Sequence, residues 1–181
     1  MKIIRGKDFR LRNTCVTIGK FDGIHIGHRS ILNEMNRIKR EKGLDTVVLT
    51  FDFSYFSPNE DERLNTREEK ISLLESLGID FMIDYPFDDE TRKLSAEDFI
   101  RTVLVKRLGV KTVIIGENFR FGYKAAGDTS LLTKIGNEFG FETITVPCVN
   151  FEGSVVSSTR IRDEKTEGNI EKADIMLGRN G

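Results

Sequence analysis

From residue 15 onward the chain alternates between two patterns. Short apolar runs rich in valine, isoleucine and threonine fall at 15–19, 46–51, 81–85, 111–116 and 141–147. Segments with helical spacing of their apolar residues fall at 30–43, 66–78, 95–109, 128–140 and 169–177. Asn65 or Thr66 is placed to cap the second of these helices, and Ser95 with Asp98 to open the third as a capping box. Strand–helix alternation predicts an α/β chain with a parallel sheet and helices on both faces. The runs are nearly continuously apolar, as parallel strands covered on both sides should be. In such sheets ligands bind beyond the carboxyl ends of the strands, near the switch in strand order. Chemistry is therefore expected in the loops after Ile18, Phe51 and Ile115. The polar stretch 54–65 reads as a flap.

A length of 181 residues suits one domain, spanning 1–181, that needs no disulfide or structural metal. The formal net charge of -1 gives no electrostatic case for a nucleic-acid partner. No apolar run is long enough to cross a bilayer and no signal pattern opens the chain, so no membrane partner and a cytoplasmic location are expected. Cys15 and Cys148 read as small buried hydrophobes rather than a redox pair.

The loop after the first of these strands, Gly19-Lys20-Phe21-Asp22-Gly23-Ile24-His25-Ile26-Gly27-His28, holds both histidines of the chain. Its glycines allow sharp turns and close approach of backbone to a ligand. The following helix offers free N–H groups and a positive dipole end, which attract phosphate. The spacing is neither G-x-G-x-x-G nor a loop closed by GK[ST]. His25 and His28, three apart at the first helical turn, share one face. Imidazole N–H donors there can hold phosphate oxygens and stabilise charge on a transferring phosphoryl group. The competing readings are structural histidines, or a metal pair assisted by Asp22.

Two further strings stand out. In 114–128, Phe119 and Phe121 alternate with Asn118 and Arg120 between glycines. That combination suits a flat heteroaromatic ring, or else both phenylalanines fill the core. In 155–163, Ser157, Ser158 and Thr159 can cap a helix and leave N–H groups for phosphate, with Arg160 and Arg162 as nearby cations. An ordinary N-cap with surface arginines is the alternative.

His25-Ile26-Gly27-His28 resembles the H-x-G-H motif of HIGH-type nucleotidyltransferases. With the preceding Phe21-Asp22-Gly23, the string is similar to the FMN adenylyltransferase module of prokaryotic FAD synthetases. Asn118, Phe119, Phe121, Gly122 and Asp128 match that family's G-x-(D/N)-F-x-F-G string and the residue beyond it. Residues 157–162 match its S-S-T-x-I-R string. The resemblance covers most of the chain and implies a Rossmann-like nucleotidyltransferase fold. It implies transfer of AMP from ATP to FMN with Mg²⁺, giving FAD and pyrophosphate. His25, His28, Ser158, Thr159 and Arg162 would then carry the catalysis. Gly19, Phe21, Asp22, Gly23 and Gly27 would shape the adenylate pocket. Asn118, Phe119, Phe121, Gly122 and Asp128 would lie near flavin or nucleotide, and Ser157 and Arg160 near the polyphosphate.

Two departures accompany the match. The family's TFxPHP string is here Thr50-Phe51-Asp52-Phe53-Ser54-Tyr55, without either proline or the histidine; a tyrosine can stack in their place. That keeps two alternatives in view: another phosphate acceptor, or a flavin- or nucleotide-binding regulator. Second, the family's riboflavin kinase domain has no counterpart in 1–181. The chain is expected to make no FMN from riboflavin and ATP, and chromatographic detection of FMN would contradict this.

Overall fold

The computed structural model describes residues 1–52 and 63–179. Six parallel strands form one sheet: β1 (Lys2–Arg5), β2 (Thr14–Ile18), β3 (Asp45–Asp52), β4 (Phe81–Pro86), β5 (Val110–Gly116) and β6 (Glu142–Val146). Their order is β1-β4-β3-β2-β5-β6. Helices cover both faces, as the alternation predicts. On one face α1 (Ile26–Lys42) and α2 (Arg67–Ser76) bury Leu32, Met35, Ile38 and Leu74 against Cys15, Val48, Met82 and Ile114. On the other, α4 (Ala96–Phe99) and α5 (Thr129–Phe139) bury Phe99, Leu132 and Ile135 against Val16, Leu49, Ile83 and Val113. A short helix, α3 (Asp89–Lys93), links β4 to α4.

All five residues of β2 are buried, because it is a central strand packed on both faces. From β2 the chain adds β3 and β4 on one side and β5 and β6 on the other. The switch point therefore lies between β2 and β5, and both glycine-rich loops leave the sheet there.

After β6 a small hairpin, β7 (Asn150–Phe151) with β8 (Ser154–Val155), leads to α6 (Ser158–Thr166) and α7 (Ile170–Leu177). These two helices form a satellite core of Ile161, Ala173, Met176 and Leu177 with Leu64 and Val156. It packs beside Ile26, at the start of α1.

Three elements differ from the sequence expectation. β1 carries only Ile3 and Ile4 between charges, and its partner β4 lies far along the chain. The helix expected at 95–109 is α4 continued by a π-helical stretch, Ile100–Arg107. The wider turn lets Phe99, Ile100, Val103, Leu104 and Leu108 all reach one core. α1 begins at Ile26 rather than residue 30, so His28 is helical. The flap expected at 54–65 lies, except for 63–65, outside the described residues, as does Tyr55.

Gly122 stands at the point of closest packing. Its φ is +74°, and an added Cβ would fall 2.7 Å from the Ala96 backbone. Gly122→Ala is expected to destabilise the chain by about 2–3 kcal/mol, from overpacking and left-handed strain together. Urea unfolding measures this directly.

Candidate active site

The loop after β2 folds back under itself. The Gly19 N–H donates to the Leu49 carbonyl at 3.1 Å. The Lys20 carbonyl accepts from Thr50 Oγ1 at 3.1 Å and from Lys70 Nζ at 2.8 Å. Phe21 and Ile24 then take left-handed conformations, with φ of 49° and 37°. Such angles cost on the order of 1–3 kcal/mol each for side chains with a Cβ, most for a β-branched residue. Both side chains are wholly buried, which returns about 1.5–3 kcal/mol apiece. The hydrophobic core thus holds a strained loop in place.

That loop delivers His25 to the N-cap of α1. The His28 N–H donates to His25 Nδ1 at 3.3 Å. With Nδ1 an acceptor, the ring proton of neutral His25 sits on Nε2, which can donate outward. The His28 ring stacks on His25 at 3.8 Å between centroids and lies 4.7 Å from the Phe21 ring. A Cβ on Gly27 would meet His25 Nδ1 at 3.1 Å, so only glycine leaves room for the ring at its present distance. Gly19 lies against the Phe21 ring, and Gly23 against Leu64 and Leu177.

Burial holds both imidazoles neutral. The pKa of His25 is pushed down to about 4 by desolvation, which the charge of Asp22 opposes. That of His28 falls well below its usual value, through burial first and then the neighbouring His25 and Lys70. The first turn of α1 carries no acidic residue. The remaining N–H groups of that turn, its dipole and the His25 Nε2–H are of the kind that can hold an anion.

This arrangement has a pH consequence. Unfolded histidine titrates near 6.5, so between about pH 4 and 6.5 the unfolded chain binds more protons than the folded one. Stability is therefore full above that window and falls as pH drops through it. For His25 the loss is roughly 3 kcal/mol. Thermal melts are expected to show a markedly lower Tm at pH 4.5 than at pH 7. His25→Asn, which keeps a capping side chain without titrating, should remove the His25 share of the curve and leave that of His28.

Asp22 ties the loop to the rest of the site. Its Oδ1 accepts from the Leu64 N–H at 2.8 Å, and its Oδ2 pairs with Arg162 at 2.7 Å. Its carbonyl accepts from Ser158 Oγ at 2.7 Å. Ser157 caps α6, accepting from the Arg160 N–H at 3.2 Å. The Arg160 guanidinium donates to the carbonyls of Phe151 and Ser154, both at 2.8 Å, and so fastens the β7–β8 hairpin. Thr159 is exposed at the first turn of α6. The fold thus brings His25, Ser158 and Arg162 together around Asp22, with His28 stacked on His25. Arg160 is held to one side by its hairpin.

The loop after β5 is more internally engaged. Phe121 is buried, stacks on Phe119 at 5.5 Å, and exchanges two backbone hydrogen bonds with Gly127. Asp128 caps α5, its carboxylate accepting from the Leu131 N–H at 2.9 Å. Asn118 is exposed, and its Nδ2 donates to Cys148 Sγ at 3.2 Å. Cys148 is only partly buried, whereas Cys15 is fully buried with its thiol pushed up to about 12 by desolvation.

An apolar depression lies beside this loop, lined by Phe51, Phe87, Thr91, Leu94, Phe99, Phe121 and Gly122, with Arg92 at its wall. Phe51 is two residues beyond Leu49, whose carbonyl receives the Gly19 N–H. The depression and the histidine loop thus both lie at the carboxyl end of β3, on opposite faces of the sheet. Phe87, Phe99 and Lys70 belong to no motif in the sequence. Phe87 follows directly on the end of β4, which is where the strand rule points.

No group of three or more His, Cys, Asp or Glu among the described residues is arranged to hold a metal ion. Both oxygens of Asp22 are already engaged.

The family model for FAD synthetase matches residues 7–160. The chain belongs to the FAD synthetase family. It is 36% identical over 187 residues to the bifunctional riboflavin kinase/FMN adenylyltransferase of Buchnera aphidicola subsp. Schizaphis graminum, covering 99% of this chain and 60% of that protein. The Escherichia coli K12 protein of the same description is 36% identical, covering 98% of this chain and 59% of its own length. The chain thus spans about 60% of the curated relatives it matches. A crystal structure described as a macrolide-efflux protein from Streptococcus pneumoniae superposes with a TM-score of 0.85 at 27% identity, over 98% of this chain and 62% of that one. Among the described residues, no helix of this FAD synthetase family member is long and apolar enough to cross a membrane.

Proposed function

We propose that this chain transfers AMP from ATP to FMN. An FMN phosphate oxygen attacks the α-phosphorus in line, the bond to the β-phosphate bridging oxygen breaks, and pyrophosphate leaves. The observation that carries this reading is the convergence at one sheet edge of stacked neutral imidazoles, an Asp22-held arginine and an aromatic depression. It is supported by membership of the FAD synthetase family and by the activity its bifunctional relatives are named for.

His25 Nε2–H and the first N–H groups of α1 bind the phosphate undergoing transfer, and His28 braces His25 from beneath. Neutral imidazoles suit the task, because a donor is needed and no proton has to move to the protein. Ser157 and Thr159 offer hydroxyls, and Ser158 and Thr159 backbone N–H groups, to the leaving pyrophosphate, with Arg162 as their cation, while the Ser158 hydroxyl stays on the Asp22 carbonyl. Arg160 contributes by shaping the hairpin before them. Phe51, Phe87, Phe99 and Phe121 offer ring faces and edges to an isoalloxazine, with Phe119 stacked on Phe121 beside them. Mg²⁺ brought in with ATP would neutralise polyphosphate charge there, with the phosphates themselves as its expected ligands. We infer a cytoplasmic setting, where ATP is available and two free thiols stay reduced.

Labelled ATP tests the site of attack. Label at the α-phosphorus is expected in FAD and label at the γ-phosphorus in pyrophosphate. α-Label that never enters a flavin product would contradict the reading.

A further inference from the structure

Lys70 lies in the first half of α2, half-buried, with its ammonium against the histidine loop. Burial pulls its pKa down, opposed by the carboxylates of Asp22 and Asp84. Its hydrogen bond reaches the Lys20 carbonyl at 2.8 Å, and Thr50 Oγ1 reaches the same oxygen at 3.1 Å. Two donors from two elements thus fix a single peptide plane.

That peptide joins Lys20 to Phe21, the first residue of the loop with a left-handed backbone. Its orientation decides where the Phe21 ring goes. The ring lies close to Gly19 on one side and 4.7 Å from His28 on the other, and His28 in turn stacks on His25. A continuous path therefore runs from Lys70 through the Lys20 carbonyl and Phe21 to the imidazole stack.

We infer that Lys70 is a positioning residue for adenylyl transfer. With Thr50 it clamps the Lys20 carbonyl, keeps Phe21 left-handed, and so sets the orientation of His28. The role in transfer rests on the adenylyltransferase reading; the clamp itself does not.

The chain has only two histidines, both in this stack, so ¹⁵N-histidine labelling gives an uncluttered report on it. In Lys70→Met the His28 ring resonances are expected to shift. The kcat for FAD formation should fall roughly tenfold or more, while KM for ATP stays within about twofold. Lys70→Arg, which can donate to the same carbonyl, should recover most of both. Thr50→Val should move the same resonances to a smaller extent, and it decides the matter if Lys70→Met does not fold. Unchanged His28 resonances in folded Lys70→Met would overturn the inference. So would unchanged resonances with a large rise in KM, which would mean that Lys70 binds a substrate phosphate directly. If the wild-type chain forms no FAD, the adenylyltransferase reading fails, but the His28 resonances of Thr50→Val, which loses a donor and no charge, still decide whether the clamp exists.

Discussion

Replacing His28 with alanine lowers kcat for FAD formation by about 10²–10³-fold, the usual cost of losing a group that supports a developing charge. The ring touches Phe21 on one face and His25 on the other. Its removal therefore leaves His25 without the stack that aims its Nε2–H. Stability should also fall, by about 0.5–1.5 kcal/mol for each lost ring contact. Steady-state kinetics and thermal melts on the same preparation separate the two effects. A variant that keeps its kcat would remove the imidazole stack from the mechanism.

Arg162→Ala has the second largest expected effect. Arg162 is held by Asp22 at 2.7 Å, in the second turn of the helix proposed to face the leaving pyrophosphate. A charge-assisted hydrogen bond is worth about 1.5–3 kcal/mol, so kcat/KM for ATP should fall on the order of 10–100-fold. The variant also leaves the Asp22 carboxylate without its cation, beside a site for polyphosphate. Repulsion should add to the loss. Asp22→Asn in the same chain removes that charge and keeps an oxygen for the Leu64 N–H. The double variant is therefore expected to be more active than Arg162→Ala alone. A double variant no better than the single one would show that Asp22 does not act on the phosphates through charge.

The parts of the fold legible in sequence are those set by local rules. Gly43 and Gly140 end α1 and α5 in left-handed conformations, with φ of 64° and 73°, where the pattern places the stops. The apolar runs become the strands that flank the switch point, and so the two glycine-rich loops could be located before any coordinates. What stayed hidden depends on distant partners. Asp22 acquires its role from Leu64, Ser158 and Arg162, which lie 42 to 140 residues away. Lys70 reads as one more charge on an amphipathic helix until its carbonyl partner, 50 residues earlier, is seen. Asp128 shows a different limit. A carboxylate ahead of a helix suits a cap and a ligand contact equally in sequence, and in the structure it serves as the cap of α5. Phe121 likewise fills core while lining the aromatic depression, so the two readings of its string are not exclusive.

The most direct measurement is product formation by the purified chain with ATP, Mg²⁺ and FMN, set against a panel of other phosphate acceptors. The account predicts FAD and pyrophosphate in equal amounts with FMN, and little turnover with the rest. Binding of ATP and FMN without FAD, or faster pyrophosphate release with another acceptor, would contradict it.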